Sequence, residues 1–179
     1  MSPAATLSSS EAESAALQVA DRLFYSRGVA AVTMADIRDS SGVSMRRLYS
    51  IYPSKSDLVS AWLKHRHHDW LNEFKANVGQ RLGDSQSAID AVFMALEDWM
   101  TKTGFTGCGF INTHAERSEL TDEHRDIIAM HKRAVADYLE ELTGSGPAIA
   151  LLVDGAIVEA SIFGHAGPIH TARSIAERL

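Results

Sequence analysis

The chain has 179 residues, 45% apolar and 22% charged, with a formal net charge of −6 and a single cysteine. That is long enough for a real core in one or two domains, with ordinary soluble globular composition. One cysteine excludes an intrachain disulfide framework and suits a reducing cytoplasm.

Met1 to Ser10 lacks the basic start and apolar run of a signal peptide. Ser10 with Glu13 reads as the capped start of a first helix that runs to Arg27, with Ala16, Val19, Ala20, Leu23 and Phe24 at helical spacing and Gly28 as its stop. Thr33 with Asp36 opens a second helix, whose Met34 and Ile37 face inward. Ser41-Gly42-Val43-Ser44 is a four-residue turn: Gly42 supplies the left-handed backbone and Val43 plugs the space between two helices. Ser44 caps a third helix that turns Leu48 inward and Met45, Arg46, Arg47 and Tyr49 outward. Pro53 ends it, and Ser54 with Asp57 starts a fourth.

Two arginines at the start of the third helix break a local rule. The macrodipole favours acids there, and cations in the first turn cost tenths of a kcal/mol. Such exceptions tend to mark function, and arginines so placed reach base edges while helix amides and hydroxyls take phosphates. The plain alternative is that both are solvated surface charges. Residues 33–55 carry four basic and two acidic side chains, whereas the acidic excess lies wholly beyond residue 60. The candidate DNA contacts are Thr33, Ser44, Met45, Arg46, Arg47, Tyr49, Tyr52 and Lys55.

Over Ala16 to Leu63 these features resemble the DNA-binding domain of TetR family transcriptional regulators. The resemblance rests on Ala20, Leu23, Phe24, Gly28, Thr33, Met34, Ile37, Ser41-Gly42-Val43-Ser44, Leu48-Tyr49, Tyr52, Ser54-Lys55 and Leu58. Where many members carry a Lys-Gly-Thr-like run after the turn serine, this chain has Met45-Arg46-Arg47. The operator sequence therefore does not follow by analogy.

The fourth helix is predicted over residues 56–78, joining head to body without a flexible linker, with Gly79 and Gly83-Asp84-Ser85 after it. Further helices are predicted near 86–103, 109–118, 122–142, 147–164 and 170–178, with Thr121 as a cap and Pro147 in a first turn. The fold class is all-α with about nine helices: residues 1–55 an N-terminal arm and helix-turn-helix domain, residues 56–179 a helical effector-binding and dimerisation domain. The stretch Ala148 to Phe163 is broken by Asp154 and Glu159 and is too short for a bilayer, so no membrane is expected. Being apolar nearly all round, it belongs either at the centre of a monomer core or against both its own core and a second subunit. The resemblance favours a homodimer, with Leu151, Leu152, Gly155 and Ala156 in the seam.

Trp62, Trp70, Phe74, Phe93, Trp99, Phe110, His114 and Tyr138 are either core or the walls of an effector pocket; the resemblance implies a small-molecule effector there. His65 and His68 share a helix face but lack further ligands at metal spacing, so no metal is expected. Cys108 lies in Gly107-Cys108-Gly109-Phe110-Ile111-Asn112, similar to a Gly-Cys-x-x-x-Asn run in a subset of TetR-like regulators, some of them electrophile sensors. The competing reading is a small residue packed at a helix start. Hydrolase, nucleotide-binding and metalloprotease motifs are absent from the sequence, and neither an enzyme nor a cofactor is expected. The expected function is that of a cytoplasmic homodimeric regulator, a repressor released from a double-stranded DNA operator by its effector. The alternative is a helical small-molecule or redox sensor whose head no longer binds DNA.

Overall fold

The computed structural model describes residues 8–85 and 87–179, and the following statements concern those residues. They form nine α-helices and no strand: α1 Ser9–Arg27, α2 Met34–Ser41, α3 Met45–Ile51, α4 Lys55–Arg81, α5 Ala88–Met100, α6 Gly109–Ala115, α7 Asp122–Thr143, α8 Gly146–Phe163 and α9 Gly167–Ala176. A single 3₁₀ turn, Arg117–Glu119, follows α6.

The caps decide most boundaries. Thr33 and Asp36 close a reciprocal capping box, and Ser44, Ser54 and Thr121 each accept a backbone N–H from the first turn. The first helix differs from expectation: its cap is Ser8, boxed with Glu11, two residues ahead of the Ser10–Glu13 pair. Consecutive serines followed by alternating glutamates offer both registers. The earlier one lengthens the helix by two residues, and Ala12 within its first turn is buried. The fourth helix also outruns its prediction, carrying Gly79 on a solvated face and ending at Arg81. The fifth is shorter than predicted, because Ser87 caps it through Asp90 N. The predicted 109–118 helix breaks after Ala115 into the 3₁₀ turn, and α9 starts at Gly167-Pro168 rather than near 170.

Helices α1–α3 and the first turns of α4 share one core. Ala16, Ala20 and Phe24, Ile37, Leu48, and Leu58 and Trp62 are all buried. Phe24 and Trp62 meet with ring centroids 5.2 Å apart, and Trp62 Nε1 donates to Asp21 at 2.7 Å. Burying a side chain of Phe24's size contributes about 1.5–3 kcal/mol. The fourth helix runs on into the body, packing on α5 and α7. A short connection at Gly144-Ser145 folds α8 back on α7, and α9 closes against α5 and α8. The long α4 is thus shared between head and body.

Candidate nucleic-acid interface

The turn between α2 and α3 is built as its sequence requires. Gly42 has φ 71°, a left-handed value open to glycine at little cost. Val43 is buried beneath it, and Leu48 roots α3 in the head core. The outward side of α3 is then fixed. Arg46 and Tyr49 are exposed, and among the described residues neither Arg46 nor Arg47 has an ion-pair partner. Arg47 lies lower, half-buried, with its Nε shielded and without a hydrogen-bond partner. Met45 packs partly against the core.

The remaining candidates are more constrained. The Thr33 hydroxyl donates to Asp36 Oδ2 at 2.6 Å and accepts from Asp36 N at 3.2 Å, so its first role is the cap. Ser44 Oγ accepts from Arg47 N at 3.4 Å. Tyr52, a candidate DNA contact, is only 4% exposed, with its hydroxyl buried and without a hydrogen-bond partner. Burial pushes its phenol pKa up to about 12. The reason is geometric, since Tyr52 follows Leu48 by four residues and shares its inward stripe. Lys55 is not free either; its Nζ lies 3.3 Å from Glu119 Oε2 of the 3₁₀ turn.

In the body, the aromatic candidates are packed against one another. Trp62 and Phe93 are core residues, Trp62 serving the head. Trp70 stacks on Phe74 (4.9 Å) and meets Trp99 edge-on (5.6 Å), and Tyr138 meets Phe74. Phe110 stacks on His131 at 3.6 Å. The space left among Arg66, Trp70, Trp99, Cys108, Phe110 and His131 is about 10 Å³, smaller than a ligand. His114 stands outside this cluster, exposed, on a groove of about 320 Å³ between α6, α7 and α8. The histidine run disperses: His65 pairs with Asp69, while His67 is buried against His131.

Cys108 is 8% exposed, at the start of α6. No cation adjoins it in sequence, yet Lys132 of α7 donates to its Sγ at 3.6 Å. The same ammonium is held more closely by Asp154, at 2.6 Å. On α8, Leu151 and Gly155 are exposed and Leu152 is half-buried, whereas Ala156 faces the chain's own core. Sequence reading also missed the polar tie between head and body. Glu116 accepts from Val29 N (2.9 Å) and Ala30 N (2.6 Å), and Tyr25 donates to Gly107 O (2.9 Å) while accepting from Thr106 N (3.1 Å).

The family model for bacterial regulatory proteins of the tetR family matches residues 16–62, which is the three-helix head and the first turns of α4. The HTH-type transcriptional regulator TtgR of Pseudomonas putida is 38% identical over 76 residues, 41% of this chain and 32% of that protein. The probable HTH-type transcriptional regulator ArpR of Pseudomonas putida is 42% identical over 57 residues, 31% of this chain and 27% of that protein. The match therefore spans about a third of the length of these relatives. Likeness in structure extends further. SCO4454, a TetR-family transcriptional regulator from Streptomyces coelicolor, superposes with a TM-score of 0.78 at 26% identity, over 94% of this chain and 93% of that one. The reduced form of E. coli NemR gives 0.82 at 17% identity over 94% and 97%, a likeness of fold. Residues 16–62 thus match the DNA-binding domain of bacterial tetR-family regulatory proteins, and the described residues of head, body and their connection share the fold of TetR-family transcriptional regulators.

Proposed function

We propose that this chain is a cytoplasmic DNA-binding repressor that acts as a homodimer and leaves its operator when a small molecule enters the body. The observation that carries DNA binding is the outward side of α3, where Arg46 projects exposed and without an ion-pair partner among the described residues. Such a side chain donates two hydrogen bonds to guanine O6 and N7. Two heads on a palindromic site suit a two-fold dimer. The support for a dimer is the unpartnered apolar side of α8, with Leu151 76%, Ile162 71% and Phe163 60% exposed. The support for an effector is the cluster of Trp70, Trp99, Phe110 and His131, apolar with few polar groups. With about 10 Å³ free, an effector enters this cluster only by parting the helices that line it, α4, α5, α6 and α7.

The decisive test uses a duplex carrying the inverted repeat sought in the DNA flanking the coding region. Arg46→Ala should cost about 1–3 kcal/mol on that duplex, mostly as lost discrimination against substituted base pairs. Wild-type affinity and discrimination in Arg46→Ala would remove α3 as the reading helix. A second reading, redox sensing through Cys108, draws support from the Lys132 contact. It predicts that a thiol-reactive compound lowers operator affinity in wild type but not in Cys108→Ser.

A further inference from the structure

The segment after α6 touches the head at two points that the DNA-binding reading leaves unused. Glu116 spreads its carboxylate over the loop leading into α2, taking the Val29 and Ala30 amides. Gly28 leaves room for it: φ is 84°, and a Cβ there would lie 2.9 Å from Glu116 Oε1. One 3₁₀ turn later, Glu119 takes Lys55 in the first turn of α4, the two side chains being 35% and 28% exposed. A carboxylate on a lysine at a helix start mimics what a DNA phosphate does at the same place.

We infer that Glu119 is a positioning residue that acts as an internal phosphate mimic: it occupies Lys55 in the DNA-free protein, with Glu116 anchoring it against the head, and must release Lys55 before DNA is bound. This rests on the reading of Lys55 as a phosphate contact. The segment starts at Cys108 and Phe110, which border the aromatic cluster. Movement of α6 in the body therefore shifts Glu119 relative to Lys55. The ion pair is a partly exposed one, so its hold is modest and reversible.

The experiment is a double-mutant cycle on the full chain. Binding to a fluorescently labelled duplex of mixed sequence, long enough for two heads, is measured by anisotropy across a salt series. Phosphate contacts do not depend on sequence, so this probe suffices. Glu119→Gln is expected to bind about two- to fivefold more tightly than wild type. In a Lys55→Ala background the same substitution should give no gain, because the competition has gone. Glu123→Gln, an equal charge change on a residue that pairs with Lys64 instead, should give no gain in either background. A gain from Glu119→Gln that persists without Lys55 overturns the inference, as does no gain at all. Lys55→Ala alone should weaken binding and make the salt slope shallower by roughly one unit. If it changes neither, the phosphate-contact reading of Lys55 is what fails, and the inference falls with it.

Discussion

His131 lies flat on Phe110, edge-on to Trp70, with its Nδ1 3.1 Å from the Nδ1 of His67. That contact needs one ring to donate and the other to accept, which two neutral imidazoles satisfy and two charged ones cannot. Burial first, then the charges of Lys132, His67 and Arg66, push the His131 pKa down to about 3. Burial also lowers His67, helped by His68 and Lys75. An unfolded His131 titrates near 6.5, so between there and about 3 the unfolded chain holds a proton that the folded one lacks. Stability is then fully present above about pH 6.5 and lost progressively as the pH falls through that window. Urea midpoints compared at about pH 7.5 and about pH 5 should fall, with a slope approaching about 1.4 kcal/mol per pH unit from His131. His131→Gln keeps a hydrogen-bonding group and should flatten the dependence. An unchanged slope in that variant would assign the effect elsewhere. The facing pair His67 and His131 is therefore expected to set an acid limit on the packing of α4 against α7.

Among the elements, the crossing of α7 and α8 depends on one residue. A Cβ on Gly146 would collide with Ala136 O and Glu140 N and lie 2.7 Å from Glu140 Cα, all backbone of α7. The Gly146 N–H also donates to Glu140 Oε2 at 2.7 Å. Gly146→Ala should therefore cost about 1–3 kcal/mol in denaturant unfolding. Gly79→Ala, with open space around its Cβ on the exposed face of α4, should gain about 0.5–1 kcal/mol. Equal effects of the two would show that helix propensity, not the crossing, governs Gly146. The contrast marks what the sequence makes legible. Caps at Thr33, Ser44, Ser54 and Thr121, the Gly42 turn and the buried Leu48 are local chemistry, readable within a few residues. The Ser8 start was ambiguous because two serine–glutamate registers overlap. Tyr52 showed its burial in its spacing from Leu48, yet outward residues on either side masked it. Glu116 meets Val29 across 87 positions and Lys132 meets Cys108 across 24, so no local pattern announces either contact. Whether the tryptophans are core or the walls of a pocket is likewise a matter of packing, which composition does not carry.

At the scale of the molecule, Leu151, Gly155, Val158 and Ile162 recur along α8 at spacings of four, three and four, on its exposed side, turned from the chain's own core. In the proposed homodimer this side would form the seam and bury apolar area that one subunit leaves wet. Leu151→Glu with Ile162→Glu should give a folded monomer by light scattering, because neither side chain supports the internal core. A wild-type monomer at micromolar concentration would remove the dimer. The polar tie at Tyr25 bears on how such a protein is recombined. Its ring carries the Arg66 guanidinium at 3.9 Å while its hydroxyl holds the Thr106–Gly107 loop, and Asp21 in α1 grips both Trp62 and Arg66. A cut at residue 55 would sever all of these at once, along with the Phe24–Trp62 contact. The reading head is thus not an exchangeable cassette that ends where its motif ends. A chimera that carries this DNA specificity onto another body inherits a working joint only if α4 as far as Arg66 and the loop through Glu119 travel with it.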